Sequence, residues 1–141
     1  MFRFGNRSER NLVGVHPDLV RVLRRAIEIT PVDFSIIEGV RTLKRQAELY
    51  QQGRTTPGRI VTNTMKSNHL PKADGYGHAV DLIPVDLPTG WPIENFKPVL
   101  RAIRKASIEL NIPVKFGINW SNDPDSVTGK TPVDAPHVEL Y

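Results

Sequence analysis

Proline and glycine residues divide this chain into short segments, and that division most constrains the fold that the sequence can adopt. Between them, apolar residues recur at helical spacing in three stretches, which predicts three helices. Pro17 suits a first helical turn because that position needs no N–H donor, and Pro31 and Gly53 are typical stops. The predicted helices run over residues 17–29, from an N-cap at Thr42 to about Gln52, and from Asn95 to Leu110.

Two details of these helices follow from the spacing. Leu43, Ala47 and Tyr50 share one face of the second helix, so this face is expected to be the apolar one. Pro98 falls in the first turn of the third helix, where a proline does not interrupt helical hydrogen bonds.

Short apolar segments between the helices predict β-strands. One runs from Asp33 to Glu38, and another runs from His78 to Ile83 and ends at Pro84. Two shorter strands are expected at 114–116 and 137–140, an extended lead-in at 1–15, and long polar loops at 53–76 and 117–134. The predicted helices and strands do not alternate regularly, as they do in proteins with a parallel sheet. The predicted class is therefore α+β, with a small, mainly antiparallel sheet packed with about three helices in one domain, 1–141.

The absence of cysteine restricts the metal chemistry open to this chain. Disulfides and thiolate metal sites are excluded, so a transition-metal site must combine carboxylates with the four histidines. No apolar run approaches the ~20 residues that cross a membrane, and the N-terminal residues lack the apolar core of a secretory signal. We therefore expect neither membrane insertion nor signal-dependent export.

An excess of basic residues gives a net charge of +4 and favours an acidic polymer as partner. Nucleic acid and an anionic bacterial cell envelope are both candidates on charge alone. The densest basic groups lie on predicted helices, where such groups usually form a solvated face. The sequence has no nucleic-acid-binding motif and no basic stretch interleaved with aromatic residues, so we expect no nucleic acid partner.

Three segments carry residues suited to chemistry. They are Ser67-Asn68-His69 followed by Gly77-His78-Ala79-Val80-Asp81, Asp134-Ala135-Pro136-His137, and Gly39-Val40-Arg41-Thr42. Each segment alone is a weak signal, because a single histidine on a strand is more often structural. Asp81 lies in an apolar strand, so its carboxylate must face solvent or have a partner, and a metal ion is one such partner. Two histidines and one aspartate would leave a fourth tetrahedral position open, as in catalytic zinc sites.

Together these segments resemble the zinc peptidases of the lysostaphin, D-Ala-D-Ala carboxypeptidase and hedgehog fold group. That group has Ser-x-His, then Gly-x-Ala-x-Asp, then an acidic residue three positions before a second ligand histidine. The chain is most similar to the short L-alanyl-D-glutamate peptidases that tailed phages use as endolysins. The similarity runs nearly end to end and includes Phe4-Gly5 with Ser8-Glu9, and the segments 34–42, 116–120 and 137–140.

The resemblance implies a role for each matched residue. It implies that His69, Asp81 and His137 are zinc ligands, and that Asp134 is the catalytic carboxylate, acting as general base and then as acid. It also implies that Arg41 acts on substrate oxygens and that Ser67 lies close to the site, where it positions substrate or a ligand. A structural salt bridge for Arg41 and a turn carboxylate for Asp134 are the alternatives.

The chain departs from the family pattern in the connection between the first two ligands. Eleven residues, 70–80, intervene here, whereas the family commonly has a shorter connection. The segment 70–76 lengthens this connection, and the path of this added loop is open, including whether Asp74 or Tyr76 enters the cleft. His78 is a rival to His69 as a ligand, but it lies three residues before Asp81 and strand alternation places the two on opposite faces. We therefore expect His78 to be a surface residue.

A polar segment near the C-terminus, 119–125, is rich in oxygen ligands that suit calcium. Some relatives in the phage subgroup have a calcium-regulated loop in this region. The segment lacks the EF-hand pattern, so an ordinary turn-rich loop is the alternative to a regulatory calcium site. Trp120, within it, is either a core residue or a wall of the cleft.

The leading functional hypothesis is a monomeric zinc endopeptidase that cuts the L-Ala–D-Glu bond of peptidoglycan stem peptides. Alternatives are a D-Ala-D-Ala carboxypeptidase or dipeptidase with the same zinc site, and a wall-binding module without turnover. The resemblance also implies that the protein accumulates in the host cytoplasm and reaches the cell wall through holin-type pores at lysis.

Overall fold

The computed structural model describes residues 1–60, 67–127 and 133–141 of the chain. Helices and strands are mixed along these segments. The helices are α1 (Asn6–Leu12), α2 (Pro17–Ile29), α3 (Leu43–Gln51) and α4 (Ile93–Leu110). The strands are β1 (Phe34–Glu38), β2 (Ala79–Pro84), β3 (Val114–Phe116) and β4 (His137–Leu140).

The four strands form one antiparallel sheet in the order β1-β2-β4-β3. This confirms the predicted α+β class with a small antiparallel sheet. The central strands β2 and β4 pair Asp81 directly with His137. Directly opposite residues of an antiparallel pair have adjacent side chains, so the sheet itself brings two of the predicted site residues together.

The hydrophobic core lies between the sheet and the helices α2 and α4, which pack against each other. Leu19 and Leu23 of α2 and Leu100 and Ile103 of α4 are fully buried. Their spacings of four and three residues place each pair on a single face of its helix. Burial of each such side chain contributes about 1.5–3 kcal/mol, so these two helices and the sheet form the rigid support of the site.

Helix α1 corrects the expectation of an extended lead-in over residues 1–15. Its sequence is polar and has no apolar periodicity, so the helix depends on contacts with β1. The Ser8 Oγ accepts a hydrogen bond from the Ile36 N–H at 3.0 Å, and the Asn11 amide donates to the Ile36 carbonyl at 2.8 Å. Because β1 is an edge strand, α1 covers main-chain groups that would otherwise be unpaired.

The other helices agree with the prediction except in two details. Thr42 caps α3 as expected, since its Oγ1 accepts a hydrogen bond from the Arg45 N–H. The apolar face predicted for α3 is wrong, because Leu43 is 70% exposed and Gln46 is the buried residue. Pro98 does not lie in the first turn of α4, because that helix begins at Ile93. No helix in the described segments is both long enough and apolar enough to span a membrane.

Candidate active site

His69 enters the site from the loop that precedes β2. Its side chain is buried, and its Nδ1 lies 2.8 Å from the Gly39 carbonyl oxygen. Because a carbonyl only accepts, Nδ1 carries the proton and the lone pair of Nε2 is available. That Nε2 lies 3.4 Å from Oδ1 of Asp81. The Arg41 N–H donates to the His69 carbonyl, which fixes the main chain as well.

His137 enters the same site from the start of β4. Its Nδ1 lies 3.5 Å from Oδ1 of Asp81, and its Nε2 lies 2.8 Å from Oε1 of Glu139. The His69 and His137 rings are 5.2 Å apart between centroids. A carboxylate on the outer nitrogen orients a ligand histidine, so Glu139 holds Nδ1 of His137 towards Asp81.

The Asp81 carboxylate is the centre of this group. Its Oδ1 is buried and has no hydrogen-bond partner among the described residues. An unpartnered buried carboxylate oxygen is costly, and a metal ion satisfies it. Two ligands about 2.1 Å from a tetrahedral zinc ion lie about 3.4 Å apart, close to the separations of Oδ1 from the two ring nitrogens. His69, Asp81 and His137 therefore form a buried group that can bind a metal ion.

The charges of this group depend on one another. Burial opposes ionisation of Asp81, but the nearby imidazoles of His137 and His69, with ring nitrogens 3.5 and 3.4 Å from Oδ1, outweigh it and lower the pKa of the carboxyl below its usual range. Burial likewise opposes protonation of His137, but the adjacent carboxylates of Asp81 and Glu139 raise its pKa to about 9. A metal ion at Nδ1 replaces a proton there, so metal and proton compete for this ring.

Asp134 lies at the rim of the group, one turn before β4. Its Oδ2 is 4.0 Å from Nδ1 of His137, and its side chain is 46% exposed. Partial burial and the neighbouring Asp81 charge raise the pKa of the Asp134 carboxyl. The carboxylate is therefore close to the metal-binding group and open to the cleft, which is the position that a general base requires.

Arg41 has protein partners for its guanidinium. Its Nε and Nη2 donate to both carboxylate oxygens of Glu38 at 2.8 and 2.9 Å, and its Nη1 donates to Gln46 at 2.7 Å. Its Nη2 also lies 3.9 Å from Oδ2 of Asp81. These contacts match the structural salt bridge that the sequence left as the alternative. The Ser67 Oγ accepts from the His69 N–H at 3.1 Å.

An open cleft of about 1430 Å³ connects these residues. The six residues singled out from the sequence all line it: Arg41, Ser67, His69, Asp81, Asp134 and His137. Trp91, Ile93 and Trp120 add apolar surface. Of the two positions considered for Trp120, the structure shows the cleft wall.

Three residues at the site were not found from the sequence. Glu139 follows His137 by two positions in a strand, so strand alternation places both on one face and could have revealed it. Glu38 and Gln46 hold Arg41, but nothing in their local pattern indicates this. The Trp120 ring lies 5.2 Å from the His137 ring and forms one side of the metal-binding group.

His78 lies outside this group, as the strand alternation predicted. Its Nε2 is 2.7 Å from Oδ2 of Asp74, and its side chain is 25% exposed. The Tyr76 ring packs edge-on against His16. Neither Asp74 nor Tyr76 is among the residues that line the cleft, so the added loop turns away from it.

The oxygen-rich segment near the C-terminus forms hydrogen-bonded turns. The Asn119 amide donates to the Asp123 and Ser126 carbonyls. The Asp125 carboxylate pairs with Arg101 at 2.8 Å, and the Asp123 carboxylate lies 3.9 Å from Arg104. These contacts fit the turn-rich loop, and calcium binding at 119–125 stays a prediction.

Gly117 packs closely against Asp134 and His137. A Cβ at this residue would lie 2.4 Å from the Asp134 carbonyl oxygen and 2.8 Å from Cβ of His137. We expect Gly117→Ala to displace both residues and to lower a reaction catalysed at this group about 100-fold, as a misplacement of about 1 Å can. A turbidity assay of the peptidoglycan hydrolysis that the family resemblance implies would measure the loss. Gly5→Ala is the matched control, because a Cβ at Gly5 meets open space. Equal activity of the two variants would contradict the prediction.

A sheet that presents a buried His-Asp-His group and a nearby carboxylate to an open cleft is an arrangement suited to metal-dependent hydrolases. Comparison with known proteins agrees with this class. The family described as phage L-alanyl-D-glutamate peptidase matches residues 1–141. The L-alanyl-D-glutamate peptidase of Escherichia phage T5 is 34% identical over 143 residues, which cover 99% of this chain and 98% of that protein.

A solved structure gives the same result. The crystal structure of the Serratia marcescens L-Ala D-Glu endopeptidase ChiX matches with a TM-score of 0.74 and 36% sequence identity. The match covers 99% of this chain and 90% of that chain. The chain therefore belongs to the phage L-alanyl-D-glutamate peptidase family.

Proposed function

We propose that this protein is a zinc-dependent peptidoglycan hydrolase that cleaves the L-Ala–D-Glu bond of stem peptides. The observation that carries the proposal is the buried, unpartnered Oδ1 of Asp81, which faces ring nitrogens of His69 and His137. Two imidazoles and one carboxylate form a donor set that suits zinc and leaves one position open. The names of the T5 and Serratia relatives support the choice of bond.

In this proposal His69, Asp81 and His137 hold the zinc ion. Bound zinc supplies Lewis acidity, which polarises the scissile carbonyl and lowers the pKa of a water molecule towards ~7. The Asp134 carboxylate takes a proton from the attacking water and donates it to the leaving amine of D-Glu. Its raised pKa brings proton transfer nearer to neutral conditions, which favours this exchange.

Arg41 and Ser67 lie next to the proposed zinc ligands. The Arg41 guanidinium is a cation, and its Nη2 lies 3.9 Å from Oδ2 of Asp81. Because Glu38 and Gln46 accept hydrogen bonds from its guanidinium, we propose that Arg41 acts on the site mainly through the electrostatic field of its positive charge. Ser67 fixes the main chain of His69 through its Oγ. Direct contact of either residue with substrate oxygens stays a prediction.

The proposed partner is the anionic bacterial cell envelope. A net charge of +4 favours association with it. By analogy with phage endolysins, we propose that the protein stays in the host cytoplasm until holin-type pores open, and then reaches the cell wall as a monomer.

Mass spectrometry of digested peptidoglycan tests the choice of bond. We expect new peptides that begin at D-Glu, together with glycan that retains L-Ala. Free D-Ala as the main product would instead support the D-Ala-D-Ala carboxypeptidase. Binding to permeabilised cells with no loss of turbidity would support the wall-binding module. Either of these results would overturn the proposal.

A further inference from the structure

A second group of two histidines and one aspartate lies outside the cleft, formed by His16, Asp74 and His78. We propose that this group binds a second divalent transition-metal ion, with zinc as the chemically best-suited ion. The proposal is independent of the function of the cleft, because the two groups share no residue. It concerns the connection between the cleft residues His69 and Asp81, in which both Asp74 and His78 lie.

The three side chains present nitrogen and oxygen donors to one point. Oδ2 of Asp74 lies 2.7 Å from Nε2 of His78 and 3.7 Å from Nε2 of His16. The two imidazole rings are 5.0 Å apart between centroids, close to the 5.2 Å of the catalytic pair. Ligands of a tetrahedral zinc ion lie about 3.4 Å apart, so small side-chain rotations bring these atoms to zinc geometry.

The main chain around the group is held in place without a metal ion. The His16 N–H donates to the Gly77 carbonyl at 2.9 Å, and the His78 N–H donates to the Asn68 carbonyl at 2.8 Å. The Tyr76 N–H donates to Oδ1 of Asp74 at 3.0 Å, which leaves Oδ2 directed at the imidazoles. The donors are therefore positioned before any ion binds, which lowers the ordering cost of binding.

The side chains are also accessible to an ion from solvent. The exposed fractions of the His16, Asp74 and His78 side chains are 24%, 39% and 25%. Water can therefore complete the coordination, since zinc takes a fourth ligand beyond three protein donors.

One hydrogen bond makes this site weaker than the catalytic one. Nδ1 of His16 accepts from the Asp18 N–H at 3.0 Å and so caps α2. A neutral ring that accepts at Nδ1 carries its proton at Nε2, so zinc binding at Nε2 requires loss of that cap. His69 has no such conflict, because its Nδ1 already donates to Gly39. We therefore expect the catalytic group to fill first.

Binding at this site would tie the added loop to the start of α2. Asp74 and His78 lie between His69 and Asp81 in the sequence, whereas His16 immediately precedes α2. An ion bound only by the folded chain stabilises it by mass action. We expect the melting temperature to rise again as zinc exceeds one equivalent.

Zinc titration of the untagged, metal-stripped full chain tests the proposal, with zinc chloride as the probe. We expect two binding steps in the unmodified protein and loss of the weaker step in His78→Gln and in His16→Asn. Asparagine is a good N-cap, so His16→Asn removes the ligand and keeps the α2 cap. Both variants should retain hydrolysis of peptidoglycan with one zinc ion bound.

The weaker step should also survive in His69→Ala, which separates this proposal from the proposed function of the cleft. A single step in the unmodified protein, even at a large excess of zinc, would overturn it. Retention of both steps in His78→Gln and His16→Asn would overturn it equally, because the second ion would then bind elsewhere.

Discussion

Replacing His69 with alanine is expected to remove zinc from the cleft and to reduce peptidoglycan hydrolysis to background. The substitution deletes one of three protein donors and leaves Asp81 and His137 to hold the ion. Loss of an outer-sphere partner alone costs about 10–100-fold in metal affinity, so loss of a ligand should cost more. Zinc content after dialysis against a weak chelator, measured by elemental analysis, and a turbidity assay would quantify both effects.

His78→Ala is the matched control for this experiment. It removes a histidine from the same connection, but its imidazole pairs with Asp74 outside the cleft. We expect it to retain hydrolysis and the more tightly bound zinc ion. Chelation of the unmodified protein should reproduce the His69→Ala defect. Added zinc should restore the activity of the chelated unmodified protein but not that of His69→Ala. Tightly bound zinc in folded His69→Ala would show that the ligand set is wrong.

The helices and strands that could be predicted are those in which local pattern and tertiary packing agree. Leu19, Leu23 and Ala26 repeat at the helical period because α2 buries one face, so the sequence carries the signal. Helix α1 has no such signal, since Ser8 and Asn11 hold it through polar contacts with Ile36, 28 and 25 residues away. Contacts at that separation leave no periodic trace in the sequence.

The ligand set could be proposed because its residues stand in short motifs, but the supporting contacts could not. Gln46 is a polar residue within a helix, where its usual place is the solvated face. In the structure it is buried and accepts a hydrogen bond from Arg41. Its burial follows from the position of α3 against the cleft, which no local pattern specifies.

The added loop is compatible with the proposed ligand set for a structural reason. The Lys72 N–H donates to the Tyr76 carbonyl at 2.8 Å, and the Gly75 N–H donates to the Lys72 carbonyl at 2.9 Å. The insertion therefore closes on itself as a turn. Gly77 then lies beside His69, where a Cβ would be 3.0 Å from the His69 carbonyl oxygen. A turn closed in this way adds length to the connection and still allows Gly77 to lie against His69.

Asp134→Asn is expected to keep zinc and to lose hydrolysis. The amide has nearly the same size as the carboxylate but cannot take a proton from water, and general acid–base catalysis contributes about 10²–10⁴-fold. We therefore expect a loss of that order in the rate, with zinc content unchanged because Asp134 lies outside the His-Asp-His group. Turnover of a synthetic L-Ala–D-Glu stem peptide and zinc content would measure the two effects.

Asp86→Asn is the matched control, because Asp86 is exposed and its left-handed backbone (φ 63°) suits asparagine equally well. It should retain full activity and zinc. Full activity of Asp134→Asn would remove the general-base role, whereas loss of its zinc would make Asp134 a ligand instead. We do not expect full activity of Asp134→Asn, because burial and the Asp81 charge raise the pKa of the Asp134 carboxyl and so make it better able to hold a proton during the reaction. The geometry makes the second unexpected as well, because the Asp134 oxygen nearest to His137 lies 4.0 Å from Nδ1, beyond the 3.5 Å that separates this nitrogen from Asp81.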